Sequence, residues 1–492
     1  MKKQTLRVLI TIIIASFLLV SCEQTKGNDT GANKTSTKEP TATTEKTSEA
    51  EEVPNVPTDV DFKGKEFRIL IYKGGTDIDN IDFYDNNDQE GEMIYEAAHM
   101  RQGAVEGKYG ITIKPIVTTA DNVSTLAMTS ISAGTDDYEL VAPMMNTVYT
   151  LVEKNALVEL HNVENLDLTK TYWDQQIQKD LAIGGKLFTI TGDISISDEE
   201  LNICIAFNKT FAAEYDINPY QYIKDNNWTL DTMYTLAKLG THDLNSDGKF
   251  DKNDEYGLGH AFSSAFCLFH GSGERFASLD ESGKPVITIN DSRSAEVVKK
   301  IADIYNDNSV VGVVEKNFGD WTTLNANMVA GKVMFRPANI YNLRQYLQMT
   351  DVCGVLPIPK YEATQDRYYH LVLTNACSGY CVPSTNSDLA MTGIIMEELA
   401  YYGRKDLTPA YYDSYIKSRL TPDLDTRDMF DIIFSSKIYD VGYTFGWGSL
   451  VNVIGSAVST NGGFTSKLDA AMSGAQTAMD KTYNDLIDVW GE

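Results

Sequence analysis

Glu66-Phe67-Arg68-Ile69-Leu70-Ile71-Tyr72 is a nearly unbroken apolar run that stops at Gly74-Gly75. Its length suits a strand buried on both faces and is too short for a buried helix. Downstream the period changes. Residues 91–108 carry Met93, Ala97, Met100, Ala104 and Val105 at helical spacing. A strand over 111–118, a helix over 122–133, a short strand over 138–143 and a helix over 146–153 follow. Buried strands alternating with helices predict a parallel α/β sheet covered by helices.

Around 184–205 the character shifts. Residues 185–190 and 201–207 read as strands joined by a polar turn from Gly192 to Glu200. A second set then begins: helices over 209–215 and 229–238, a strand over 256–259 and a helix over 292–306. Near Asn325 a helix feeds a strand over 332–335, and residues 352–357 form another apolar run. Helices over 388–402, 409–419, 426–434 and 468–490 complete the chain. Two α/β lobes, with the chain crossing more than once, is the simplest architecture for 492 residues.

The chain holds 69 Asp+Glu against 42 Lys+Arg, a formal net charge of -27. Phosphate recognition depends on Lys and Arg, so this balance argues against a nucleic-acid binder. The first residues have a different job. Lys2, Lys3 and Arg7 precede an apolar stretch, residues 8–20, too short to span a membrane comfortably. It ends in Leu19-Val20-Ser21-Cys22, which resembles the bacterial lipobox. The expectation is a leader of residues 1–21, lipidation of Cys22 and anchoring at the outer membrane face. Residues 22–58, rich in Thr, Ser, Glu and Lys, read as a tether that cannot bury enough to fold. The remaining cysteines are Cys204, Cys267, Cys353, Cys377 and Cys381, an odd number without metal spacing. Cys377 and Cys381 sit in apolar context and read as buried thiols.

The strongest local motif runs from Asp243 to Asp254. Oxygen side chains fall at loop positions 1, 3, 5, 9 and 12, which are Asp243, Asn245, Asp247, Asp251 and Asp254. Gly248 takes the sharp turn, and the carbonyl of Lys249 fills position 7. Ca²⁺ wants six to eight hard oxygens, so a structural calcium ion is expected here. Asp replaces the usual Glu at the last position, and no helix is expected to follow. No phosphate-binding loop, dinucleotide fingerprint, nucleophile elbow or HExxH motif occurs.

Several segments in order are similar to the extracellular solute-binding proteins of ABC importers, family 1, in their clostridial-type lipoprotein branch. They include Phe62-Lys63-Gly64-Lys65-Glu66-Phe67, Tyr109-Gly110-Ile111-Thr112-Ile113 and Asp137-Tyr138-Glu139-Leu140-Val141. Gly185-Lys186-Leu187-Phe188, Val355-Leu356-Pro357-Ile358-Pro359 and Val382-Pro383-Ser384-Thr385-Asn386 complete the series. The resemblance implies a two-lobed, type II periplasmic-binding-protein-like α/β fold with a multi-strand hinge over residues 59–492. Lobe 1 is expected at about 59–190 plus a later insertion near 320–375; lobe 2 at about 200–315 plus the C-terminal helices. It further implies a monomeric binding protein rather than an enzyme. Such a protein captures a solute, in many members an oligosaccharide, between closing lobes and delivers it to ABC permease subunits.

Loops at the carboxyl ends of strands should line the cleft. They nominate 73–76, Asn146 with its neighbours, Asp193, the stretch from His260 to Phe266, and Arg336 with Asn339. Asn146 and Asp193 are expected as hydroxyl acceptors, Arg336 as a bidentate donor, and Trp447 as stacking platform with Phe262 second. Trp173, Trp228 and Trp490 read as packing; Trp321 reads either way. Competing readings are a surface-anchored glycan hydrolase and a ligand sensor for a membrane kinase.

Overall fold

β1 (Lys65–Tyr72) is the middle strand of a three-stranded sheet, between β2 (Ile111–Thr118) and β3 (Leu140–Val141). Both pairings are parallel, with Lys65 opposite Ile111 and Ile69 opposite Leu140. Phe67, Ile69, Leu70 and Ile71 are wholly buried, which accounts for the unbroken apolar run. Parallel neighbours need crossovers, and the helices Met93–Tyr109 and Ala120–Ala133 supply them. The first buries Ile94, Ala97, Ala98, Val105 and Tyr109. The second stops at Gly134, whose left-handed φ of 67° turns its N–H back to the Ile131 carbonyl. This computed structural model describes residues 52–73, 82, 83, 93–413, 416 and 424–490. The expected leader, Cys22, most of the tether, loop residues 74–76 and part of the helix expected over 409–419 lie outside the described residues. Among the described residues no helix is long and apolar enough to cross a membrane.

β4 (Ile203–Asn208) and β5 (Tyr256–His260) open a second sheet. A small antiparallel pair, β6 (Ala277–Leu279) and β7 (Pro285–Ile287), intervenes in sequence. β8 (Val311–Val313), β9 (Val333–Asn339) and β10 (Cys353–Leu356) complete the sheet in the order β10-β4-β9-β5-β8. β4 is antiparallel to both neighbours, and β5 is parallel to both. This sheet is therefore mixed, where the strand–helix alternation predicted a parallel one. Every residue of β4 and β5 is buried. The helix Leu230–Leu239 lies so close to β5 that a Cβ at Gly257 would fall 1.8 Å from the Ala237 carbonyl oxygen. Glycine is required there for the helix to pack on the strand.

The chain passes between the sheets more than once. After β10 it returns to the first sheet, where Cys381 bridges Val141 and Tyr380 bridges Ile190. β11 (His370–Leu371) on this return pairs in parallel with the later β12 (Lys437–Ile438). Three expectations change. The stretch 320–375, expected with lobe 1, contributes β9 and β10 to the second sheet, because a fully buried β4 needs a hydrogen-bonding strand on each side. Residues 185–190 form no strand: Gly184 and Gly185 turn the chain with φ of 59° and 74°, and only Ile190 bridges to Tyr380. The C-terminal helices are shared. The helix Leu389–Tyr402 packs on Met93–Tyr109, and Leu424–Ser435 packs on β10. The long helix Phe464–Trp490 reaches back to lobe 1, where Asp485 accepts from the Tyr149 hydroxyl at 3.0 Å. Cys377 and Cys381 are buried and unbridged, as expected.

Candidate functional site

β9 ends at a cavity of about 640 Å³. Arg336, Ala338 and Asn339 of the strand form one side, and His260, Ser264 and Phe266, at and beyond the end of β5, form another. Trp321 and Asn325, on the helix Trp321–Val329, form a wall. Asn342, Gln345 and Gln348 supply amides, and Leu373 comes from the returning segment. Among the described residues no Asp or Glu lines the cavity. In a chain with 69 acids, that absence sets this surface apart from the rest.

Trp321 is placed by its helix start. Asp320 caps the helix by accepting the Thr323 N–H at 2.7 Å, which leaves Trp321 on the first turn and 40% exposed. Its ring meets His260 edge-on, centroids 6.1 Å apart, and the Arg336 guanidinium lies 5.6 Å from its centroid. Tyr346 holds the same guanidinium from another side at 5.7 Å. Arg336 is 2% exposed. Its Nε and Nη1 are enclosed and have no hydrogen-bond partner, and among the described residues no carboxylate lies within ion-pair distance. Burial, reinforced by the Arg336 charge, pushes His260 down to about 3, so it stays neutral and hydrogen-bonds the Tyr305 hydroxyl.

Of the residues nominated from sequence, Arg336 and Asn339 line the cavity, and so do His260 and Phe266 at the two ends of their stretch. Asn146 is exposed and outside the lining; its N–H donates to the Thr374 carbonyl at 3.1 Å, one residue beyond Leu373. Phe262 is buried against Tyr305, with the Lys316 ammonium 4.8 Å over its ring. Asp193 is tied to Arg404 and to the Thr408 hydroxyl, each at 2.7 Å. It borders a separate hollow of about 240 Å³. Trp447 is 2% exposed, stacks on Phe445 and donates Nε1–H to Thr482 at 2.9 Å. The structure therefore puts Trp447 in the core, where its indole N–H is satisfied, and gives the exposed aromatic face to Trp321. The amides of Asn325, Gln345 and Gln348 were missed. Asp320 ahead of Trp321 was the available signal, since a capped first turn is open to solvent on one side.

In the Asp243–Asp254 loop the acidic side chains accept from the loop's own backbone, with Asn245, Asp247 and Asp251 exposed. Asp243 accepts from the Gly248 N–H at 2.8 Å, Asn245 from Asp247 at 2.9 Å and Asp247 from Lys249 at 2.8 Å. Asp254, wholly buried, accepts from Leu244 and Asp251 at 3.0 and 2.8 Å. Asp243 Oδ1 is enclosed and has no partner, a vacancy in the hydrogen bonding that suits an added cation. As they stand, no three His, Cys, Asp or Glu groups among the described residues converge closely enough to hold a metal ion.

Solved structures of similar shape exist. A cyclo/maltodextrin-binding protein complexed with maltotetraose shares 14% identity at a TM-score of 0.59, over 85% of this chain and 97% of that one. A cyclic alpha-maltosyl-1,6-maltose binding protein from Arthrobacter globiformis shares 13% at 0.58, over 85% and 100%. An ABC substrate-binding protein from Listeria monocytogenes, in complex with cycloalternan, shares 12% at 0.51, over 87% and 99%. The fold is that of the two-lobed solute-binding proteins. No protein-family model matches the sequence, and no curated protein matches it. Within the solute-binding fold, nearly all of the cavity belongs to the lobe built on the second sheet, with Leu373 from the segment that returns to the first.

Proposed function

We propose that this chain captures an oligosaccharide in the cavity beside Trp321 and delivers it to an ABC permease. One observation carries the reading: a solute-binding fold presents an exposed indole beside a ring of uncharged amides. Sugars offer an apolar face for stacking and hydroxyls that amides can both donate to and accept from. The similar folds are named for, or solved with, maltodextrin, cyclic maltosyl-maltose and cycloalternan. Binding, not turnover, is the task in this reading.

The cellular setting is part of the proposal. The lipobox-like Leu19-Val20-Ser21-Cys22 supports an anchor at the outer face of the membrane through lipid on Cys22. The tether would let a monomeric receptor reach its permease. The Asp243–Asp254 loop is proposed to hold a structural Ca²⁺, supported by its oxygen spacing and by the unpartnered Asp243 Oδ1.

A thermal-shift panel on the full-length chain tests the central claim. A saccharide at a hundred times its dissociation constant should stabilise the fold by about 2.7 kcal/mol. Chromatography of the same mixtures should show the saccharide unchanged. A folded protein that responds to no saccharide, or one that cleaves it, overturns the reading. Replacement of Cys22 by serine should move the protein from the membrane fraction to the medium.

A further inference from the structure

Resting on the reading of this cavity as the sugar site, we infer that the sugar it takes is acidic, with an anionic substituent that pairs with Arg336. Moving a charged group out of water costs several kcal/mol unless a partner of opposite charge returns it. Arg336 is 2% exposed and lies on the central part of the second sheet through β9. What surrounds its guanidinium is aromatic: the Trp321 and Tyr346 rings at 5.6 and 5.7 Å. Two cation–π contacts supply roughly 1–2 kcal/mol each at best and carry no compensating charge. Nε and Nη1 have no acceptor.

Among the described residues the cavity offers nothing else to balance the charge. Its remaining polar groups are amides, hydroxyls and His260, which is held neutral. A site built for neutral hydroxyls has no need to keep acids out, since Asp and Glu are good hydroxyl acceptors. Among the described residues no acid reaches the lining, and a single cation remains there. The ligand is then the missing counter-ion. A planar carboxylate, as on a uronic acid unit, matches a guanidinium best, and a sulfate ester shares the same charge chemistry.

The test compares three probes on the full-length chain by calorimetry: a uronate oligosaccharide, the same oligosaccharide with its carboxyl groups reduced to alcohols, and a sulfated one. The uronate form should bind about 10- to 100-fold more tightly than its reduced form, the range of a charged hydrogen-bonded contact. That gap should shrink as salt rises and should close in Arg336→Gln. Tight binding of the sulfated probe in place of the uronate supports the anion and names sulfate as its source. Equal affinity for the acidic and reduced forms overturns this inference and leaves sugar capture intact. Binding of none of the three probes, with a neutral saccharide of the thermal-shift panel still binding, overturns this inference and leaves sugar capture intact; silence toward every saccharide overturns sugar capture itself. Salt dependence on the unaltered chain decides the matter should Arg336→Gln fail to fold.

Discussion

Two enclosed cations in this molecule are treated in opposite ways. Lys437, with 13% of its side chain exposed, is surrounded by Asp174 at 3.0 Å, Asp198 at 2.5 Å and Glu199 at 3.1 Å. Burial works against its charge, but the carboxylates, Asp174 first, outweigh that and hold the ammonium above the usual lysine range. Among the described residues no carboxylate lies within ion-pair distance of Arg336. Under the proposed reading, the difference separates a structural cation from a ligand-binding one. Lys437 lies on β12, which pairs with the returning β11, and Asp198 and Glu199 lie just before β4. Its neutralisation is internal and pins two chain crossings together. The neutralisation of Arg336 is left open at a cavity.

The largest effect should come from removing each cation. Lys437→Met strands three carboxylates that are little exposed and should cost about 3–5 kcal/mol, read by urea denaturation. Arg336→Met removes a charge that has no partner, so stability should hold within about 1 kcal/mol or rise. Binding should show the reverse order, with Arg336→Met losing the ligand. Equal stability losses would break the comparison, because Arg336 would then be a structural cation too.

The two tryptophans sharpen it next. Trp447→Ala empties a filled core site and removes the donor to Thr482, whose hydroxyl still donates to the Ala478 carbonyl, and about 3–5 kcal/mol of stability should go. Trp321→Ala removes a 40% exposed ring, so unfolding should shift by under about 1 kcal/mol. Sugar affinity should fall about tenfold, the worth of one stacking contact. A calorimetric titration of both variants checks the pair.

A smaller effect follows from two buried histidines. His260 and His370 are each pushed down to about 3, both by burial and His260 also by Arg336. The unfolded chain takes up these protons below pH about 6.5, and the fold refuses them. Their contribution to stability is complete above that pH and is lost as pH falls toward 3, at about 1.4 kcal/mol per unit for each histidine. Denaturation at pH 5 against pH 7 should show the loss. His370→Gln, which can still serve the Ile358 N–H and the Ser436 hydroxyl, should reduce the slope by one proton. An anionic ligand screens Arg336 and should lessen the slope through His260 alone.

The sequence carried the first sheet almost whole, because β1 is a continuous apolar run and β2 alternates buried and exposed residues at its start, as a strand does. It carried less of the second sheet. β4 takes its partners from residues more than a hundred positions away, and antiparallel pairing at that separation leaves no local pattern. Among the cavity-lining residues, Arg336 and Asn339 were legible because the apolar run over 332–335 leads into them, although β9 itself extends through Asn339. Trp447 misled: glycines on both sides suggested an open loop, but Gly448 is small because Ala475 of the last long helix packs against it. Asp193 misled for a related reason. Its partner Arg404 lies in a helical segment far along the chain, and the pairing of distant charges cannot be read from composition.

Calcium gives the smallest effect and extends the comparison to an anion. Asp243 Oδ1 is enclosed without a partner, as the Arg336 nitrogens are, whereas both oxygens of Asp254 are satisfied by backbone N–H groups. A cation bound by the loop must draw Asp243 and Asp247 inward while Asp254 keeps its place under the turn. At ten times its dissociation constant Ca²⁺ should add about 1.4 kcal/mol to stability. Asp243→Asn keeps the shape and lowers the charge, and should abolish most of that gain. Sugar affinity should not change, because the loop contributes nothing to the cavity lining. A chain whose unfolding is indifferent to millimolar Ca²⁺ would leave Asp243 Oδ1 a tolerated defect, and would confine the logic of a charge completed from outside to Arg336.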